Sequence, residues 1–118
     1  MKHVLIVDDA SIYHELIRHA LEGSSTKLFT AQDGSEALAL LNQETIDVLV
    51  TDLHMGAYSG YYLLDHLPDP RPEKIIVLTN DMQMSIEPKV KSYSFAITVL
   101  RKPVTAASIR AAILGKSA

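Results

Sequence analysis

Apolar residues along this chain fall into two alternating periodicities. Val4-Leu5-Ile6-Val7, Val48-Leu49-Val50-Thr51, Ile75-Ile76-Val77-Leu78 and Ile97-Thr98-Val99-Leu100 are short β-rich runs. Such runs suit strands covered on both faces of a sheet. Lys27-Leu28-Phe29-Thr30-Ala31 is a fifth and the least apolar, which places it nearer a sheet edge. The predicted strands are 3–7, 27–31, 46–51, 74–78 and about 96–100.

Between these runs the spacing changes to three and four. Ile12, Leu16, Ile17, Ala20 and Leu21 make the stripe of a first helix, which Gly23 ends. Asp33-Gly34-Ser35-Glu36 is a helix start, with a capping aspartate three residues before a glutamate, and Ala37, Leu38, Leu40 and Leu41 follow as the apolar stripe. A short helix from about Gly60 must stop near Leu67, because Pro68, Pro70 and Pro72 come next. The last helix runs from about Thr105, with Ile109, Ala112 and Ile113 inward, to Gly115. A crossover helix is also expected over 81–94, where Pro88 intervenes. Proline inside a helix costs about 3 kcal/mol, so that helix is predicted to begin near Pro88 or to be distorted.

Strands alternating with helices predict an α/β fold with a doubly wound parallel sheet. The 118 residues, 47% of them hydrophobic, make one domain over 1–118 with a core that needs no staples. A net charge of −3 speaks against a general nucleic-acid or membrane-surface binder. No run approaches the roughly 20 apolar residues of a membrane span, and the first residues enter a strand rather than a signal peptide. With no cysteine, thiol catalysis and thiolate metal sites are excluded, and a cytoplasmic location is the expectation.

Parallel strands bring their carboxyl ends to one edge, where doubly wound sheets bind ligands. Asp8 and Asp9 follow the first strand, Asp52 the third, Thr79 the fourth and Lys102 the fifth. Taken singly each has a plain reading, as a helix cap, a strand end or a solvated lysine. Together they form an acidic cleft in which three carboxylates repel one another unless a cation joins them. Oxygen donors select Mg²⁺, with Mn²⁺ as the alternative. A triad of acids, a hydroxyl and a lysine suit phosphoryl chemistry, with an aspartate able to form an acyl phosphate.

At these positions the chain resembles the response-regulator receiver domain of two-component signalling, the CheY-like family. The resemblance is carried by Asp8-Asp9, by Asp52-Leu53-His54-Met55-Gly56-Ala57-Tyr58-Ser59-Gly60, by Thr79 and by Lys102-Pro103, in the family's order along nearly the whole chain. It implies a flavodoxin-like sheet of order 2-1-3-4-5 with five helices on its two faces. It also implies that Asp52 accepts a phosphoryl group from the phosphohistidine of a sensor histidine kinase or a histidine phosphotransfer protein. Mg²⁺ would be held by Asp8, Asp9, Asp52 and the His54 backbone carbonyl. Thr79 and Lys102 would stabilise the phosphoryl group, and the Lys102–Pro103 peptide would be cis. The domain would be a switch rather than an enzyme, its only reactions being phosphorylation and dephosphorylation of Asp52. A downstream protein or a fused output domain would read it, without nucleic-acid or membrane binding by this segment. No output domain is visible within the chain, which is read as a stand-alone receiver or the front of a longer regulator.

Four positions depart from the family pattern. Gly56 replaces a proline, Asn80 a small residue, Phe95-Ala96 a Gly-Ala pair, and Val99 the aromatic residue whose rotation reports phosphorylation together with Thr79. Valine has no ring to swing, so the usual relay has nothing to act through. His54 and Asp81 are candidates for tuning the lifetime of the acyl phosphate, His54 otherwise being an exposed loop side chain. The histidines at 3, 14, 19, 54 and 66 show no metal-ligand spacing, and Tyr58, Tyr61 and Tyr62 form an aromatic cluster read as packing and surface. Two rival functions remain: a degenerate receiver that binds partners unphosphorylated, and a Mg-dependent phosphatase with Asp52 as nucleophile. The phosphatase normally needs a second aspartate where His54 stands, and room for a substrate cap.

Overall fold

The computed structural model describes residues 1–53, 59–79, 90 and 92–115. In chain order the elements are β1 (Lys2–Val7), α1 (Ser11–Ala20), β2 (Thr26–Ala31), α2 (Gly34–Gln43), β3 (Val48–Asp52), α3 (Gly60–Asp65), β4 (Lys74–Thr79), β5 (Thr98–Arg101) and α4 (Ala106–Leu114). The five strands are parallel, in the order β2-β1-β3-β4-β5. This is the doubly wound arrangement expected, and β2 lies at an edge as its weaker apolar character predicts.

Alternate side chains of the central strands enter two cores. Leu5, Val7, Leu49, Ile75 and Val77 face Ala37 and Leu41 of α2 and Leu63 and Leu64 of α3. Val4, Ile6, Val48, Val50, Ile76 and Leu78 face Ile17 and Ala20 of α1 and Ile109 and Ile113 of α4. All of β3 is buried, so its five residues cannot alternate apolar with exposed polar. The continuous runs in the sequence are the direct consequence.

Helix starts follow their capping chemistry. Asp33 Oδ1 accepts from the Glu36 N–H at 2.9 Å, while Glu36 Oε2 reaches back to the Gln32 N–H at 3.2 Å. Thr105 and Ser108 form a reciprocal capping box at the start of α4. Lys74 secures the other end of that helix, its ammonium donating to the carbonyls of Ala112 at 3.0 Å and Gly115 at 2.6 Å. A cationic head at a helix C-terminus is favoured by the backbone dipole.

Three expectations are corrected. Ile12 is 71% exposed and does not belong to the buried stripe of α1. Tyr13 does, one turn before Ile17 and packed on the second core, with Ile12 turned away by the rotation between neighbouring helical residues. β5 spans Thr98–Arg101 instead of 96–100, since Ile97 packs against the first core ahead of the ladder. β3 begins at Val48, although Asp47 already binds β1: its N–H donates to the His3 carbonyl at 2.8 Å. The Pro88 helix expected over 81–94 lies almost wholly outside the described residues, of which Val90 is buried in the first core. No helix among the described residues is long and apolar enough to cross a membrane.

Candidate functional site

Strand register builds the site. Val7 of β1 pairs with Thr51 of β3, so the next residues, Asp8 and Asp52, stand side by side at the carboxyl edge. Asp52 pairs with Leu78 of β4, which sets Thr79 one step beyond it, and Thr79 pairs with Arg101, just before Lys102. The Lys102 N–H donates to the Thr79 carbonyl at 2.7 Å, and the Lys102–Pro103 peptide is cis. Sheet topology thus gathers residues at the ends of four strands.

Backbone donors orient the acids. Asp8 Oδ1 accepts from the Ala10 N–H at 2.8 Å, and Asp52 Oδ1 accepts from the Leu53 N–H at 2.7 Å. The other oxygen of each faces Lys102, whose ammonium donates to Asp8 Oδ2 at 3.0 Å and Asp52 Oδ2 at 3.2 Å. Asp8, Asp52 and Thr79 are buried, while Asp9 is exposed at the mouth. Burial raises the Asp8 carboxyl above its ordinary value, and the Ala10 N–H and Lys102 offset only part of that rise. Burial lowers the Lys102 pKa, but hydrogen bonding and charge from Asp8 and Asp52 outweigh it, so the ammonium is held above its usual range.

Carboxylate oxygens from Asp8, Asp9 and Asp52 all lie within 4.8 Å of one another. Lys102 supplies one positive charge against three carboxylates. This hard, oxygen-only and strongly acidic donor set fits a small divalent cation and would not hold a thiophilic one.

Other predicted residues fall differently. Val99 lies on the outer strand β5 and is 37% exposed. His54 and Asp81 lie outside the described residues, as do Gly56, Tyr58 and Asn80. Tyr61 packs against the first core, and Tyr62 stacks on His66 with ring centroids 4.5 Å apart.

Two neighbours of the site were not legible in the sequence. The Lys102 ammonium lies 4.0 Å from the centroid of the Tyr13 ring, and His14 Nε2 donates to the Asp8 carbonyl at 2.7 Å. Placing Tyr13 rather than Ile12 on the inner stripe of α1 would have pointed to the first. A cleft of about 420 Å³ between the α2–β3 and α3–β4 connections contains none of the converged groups.

Comparison with known proteins accords with this geometry. The sequence profile of the response regulator receiver domain matches residues 4–114. A protein-glutamate methylesterase/protein-glutamine glutaminase of Hahella chejuensis is 31% identical over 103 residues, which are 85% of this chain and 30% of that protein. An uncharacterized response regulatory protein of Staphylococcus epidermidis is 32% identical over 111 residues, 88% of this chain and 42% of that protein. The chain therefore spans less than half the length of these curated relatives. Among solved structures, a response regulator from Burkholderia pseudomallei with a phosphorylated aspartic acid and a calcium ion superposes with a TM-score of 0.82 at 28% identity, covering 98% of this chain and 68% of that one. The chemotaxis response regulator CheY4 of Vibrio cholerae gives 0.80 at 25% identity, with 92% of each chain covered.

Proposed function

The chain belongs to the response regulator receiver domain family, and we propose that it is a phosphorylation switch whose acceptor is Asp52. The observation that carries this reading is the Lys102 ammonium bridging Asp8 and Asp52 at the sheet edge, beside a third carboxylate. An oxygen of Asp52 attacks the phosphorus of a phosphohistidine. The new O–P bond forms as the P–N bond breaks, and the departing imidazole takes up a proton. The Leu53 N–H holds the Asp52 carboxylate in place for this attack. Lys102 pairs with a phosphoryl oxygen and the Thr79 hydroxyl donates to another, so that charge arriving at the edge meets donors already in position.

Mg²⁺, or Mn²⁺ in its place, would be held by Asp8, Asp9 and Asp52 with the His54 carbonyl, and supplies the positive charge that lets an anionic phosphoryl group approach an acidic cleft. The phosphorylated aspartate and bound calcium of the Burkholderia pseudomallei regulator support both assignments. The phosphodonor is a sensor histidine kinase or a histidine phosphotransfer protein in the cytoplasm. The output is a downstream protein or a fused domain, in keeping with the greater length of the relatives. His54 and Asp81 are the residues this reading offers for tuning the lifetime of the acyl phosphate.

Incubation with acetyl phosphate and Mg²⁺, followed by intact mass, tests the proposal. The expected result is one added phosphoryl group that is absent from Asp52→Asn. Steady release of phosphate from unrelated monoesters would instead indicate a phosphatase. No adduct from acetyl phosphate or from a kinase would indicate a binding module that works unphosphorylated.

A further inference from the structure

Val99 has no ring and stands on the outer strand, so a change at Asp52 needs another way out of the cleft. An ammonium has three N–H donors. Those of Lys102 meet three partners: Asp8 Oδ2 at 3.0 Å, Asp52 Oδ2 at 3.2 Å, and the face of the Tyr13 ring at 4.0 Å from its centroid. The lysine side chain is only 9% exposed, so water does little to satisfy or screen it. A new acceptor cannot be added without disturbing one of the three.

We propose that Tyr13 relays phosphorylation of Asp52 to α1, the Lys102 ammonium leaving the ring face as it follows charge onto the phosphoryl group. The inference rests on the reading of Asp52 as acceptor. Acyl phosphate formation takes the negative charge off the Asp52 carboxylate and places it on oxygens beyond the new O–P bond. The lysine backbone is fixed by its hydrogen bond to Thr79, so the side chain must swing to meet them. Asp8 keeps its hold, because a hydrogen bond to a carboxylate outranks a cation–π contact. The donor that met Asp52 follows the charge onto the phosphoryl oxygens, and the swing that carries it there takes the ammonium off the ring.

Tyr13 is well placed to pass that change on. It lies in the first turn of α1, whose N-cap, Ala10, makes no side-chain capping bond. That turn is held by the Tyr13 N–H to the Ala10 carbonyl at 3.1 Å and by His14 to the Asp8 carbonyl at 2.7 Å. The start of α1 therefore depends on the acidic loop, and a shift of the ring acts on the least secured part of the helix. Linkage is reciprocal: a contact that phosphorylation breaks must also resist phosphorylation. Tyr13→Leu should raise the equilibrium ratio of phosphorylated to free protein by roughly 2- to 30-fold, the range such contacts span. Tyr13→Phe keeps a ring face and should match the parent chain.

The test labels the five tyrosines with 3-fluorotyrosine and assigns the Tyr13 ¹⁹F resonance by its loss in Tyr13→Phe. Spectra are taken with Mg²⁺ alone and with Mg²⁺ plus acetyl phosphate, and intact mass is read on the same samples. The expected result is a shift of the Tyr13 resonance that accompanies the phosphoryl mass gain and is absent from Asp52→Asn. A mass gain with an unmoved Tyr13 resonance overturns the relay and leaves the acceptor reading standing. No mass gain overturns the acceptor reading and the relay with it. A ratio unchanged or lowered in well-folded Tyr13→Leu also counts against the relay. If that variant does not fold, the resonance of the parent chain decides.

Discussion

Asp8 shows how the site sets itself against stability. It is fully buried, and its carboxyl is raised above the ordinary value of 3.8, burial outweighing the help of the Ala10 N–H and Lys102. A raised acid favours folding fully below its unfolded pKa, and that contribution is lost as pH rises through the folded value. At neutral pH the buried Asp8 carboxyl is therefore a cost, which a cation bound beside it would relieve. Asp8→Asn is predicted to raise the melting temperature by a few degrees at neutral pH without divalent cation. The gain should shrink as pH falls toward 3.8, and Mg²⁺ should stabilise the parent chain more than the variant. Scanning calorimetry at two pH values checks this; a lower melting temperature in the variant at neutral pH would show that the Lys102 pairing outweighs burial. At this scale the acids, Thr79 and Lys102 were legible because each closes an apolar run. Tyr13 was not, since its contact with Lys102 joins the first helix to the last strand's end, a pairing that no local spacing encodes.

At the scale of elements, the junction of β3 with α3 fixes where Asp52 stands. The Gly60 N–H donates to the Leu53 carbonyl at 3.1 Å, and a Cβ on Gly60 would collide with the Asp52 carbonyl oxygen and stand 2.9 Å from Leu53 Cα. Backbone cannot yield there as a side chain would. Gly60→Ala should cost roughly 1–3 kcal/mol in urea unfolding, the usual range for forced overpacking. It should also lower the yield of phosphorylated protein by displacing Asp52. Unchanged stability together with full yield would mean that α3 moves freely relative to β3. The third helix was legible from Ser59-Gly60 and the prolines after it, but its crowding against Asp52 was not, because glycine leaves no mark of what it approaches. The start of α4 at Thr105 was legible, but its capping box was not, because Ser108 takes the place usually held by glutamate or glutamine. The bounds of β5 differ from the expected 96–100 because Ile97 is apolar for packing rather than for pairing.

For the whole molecule, an all-parallel sheet with covered faces leaves its carboxyl edge as the place where residues distant in sequence meet. Alternating strand and helix patterns made this topology readable, and the topology then made the cleft readable. The contact of Lys102 with Tyr13 was not, since it depends on which side chains the folded chain brings to the ammonium. The central claim is that Asp52 carries an acyl phosphate, and the chemistry of that bond allows it to be located. Borohydride reduces an acyl phosphate to the alcohol, releasing phosphate and converting aspartate to homoserine. After treatment with acetyl phosphate and Mg²⁺, then borohydride and peptide mass spectrometry, homoserine is predicted at position 52. Homoserine at position 8 or 9, or no reduced aspartate in a sample whose intact mass has risen, would contradict the account.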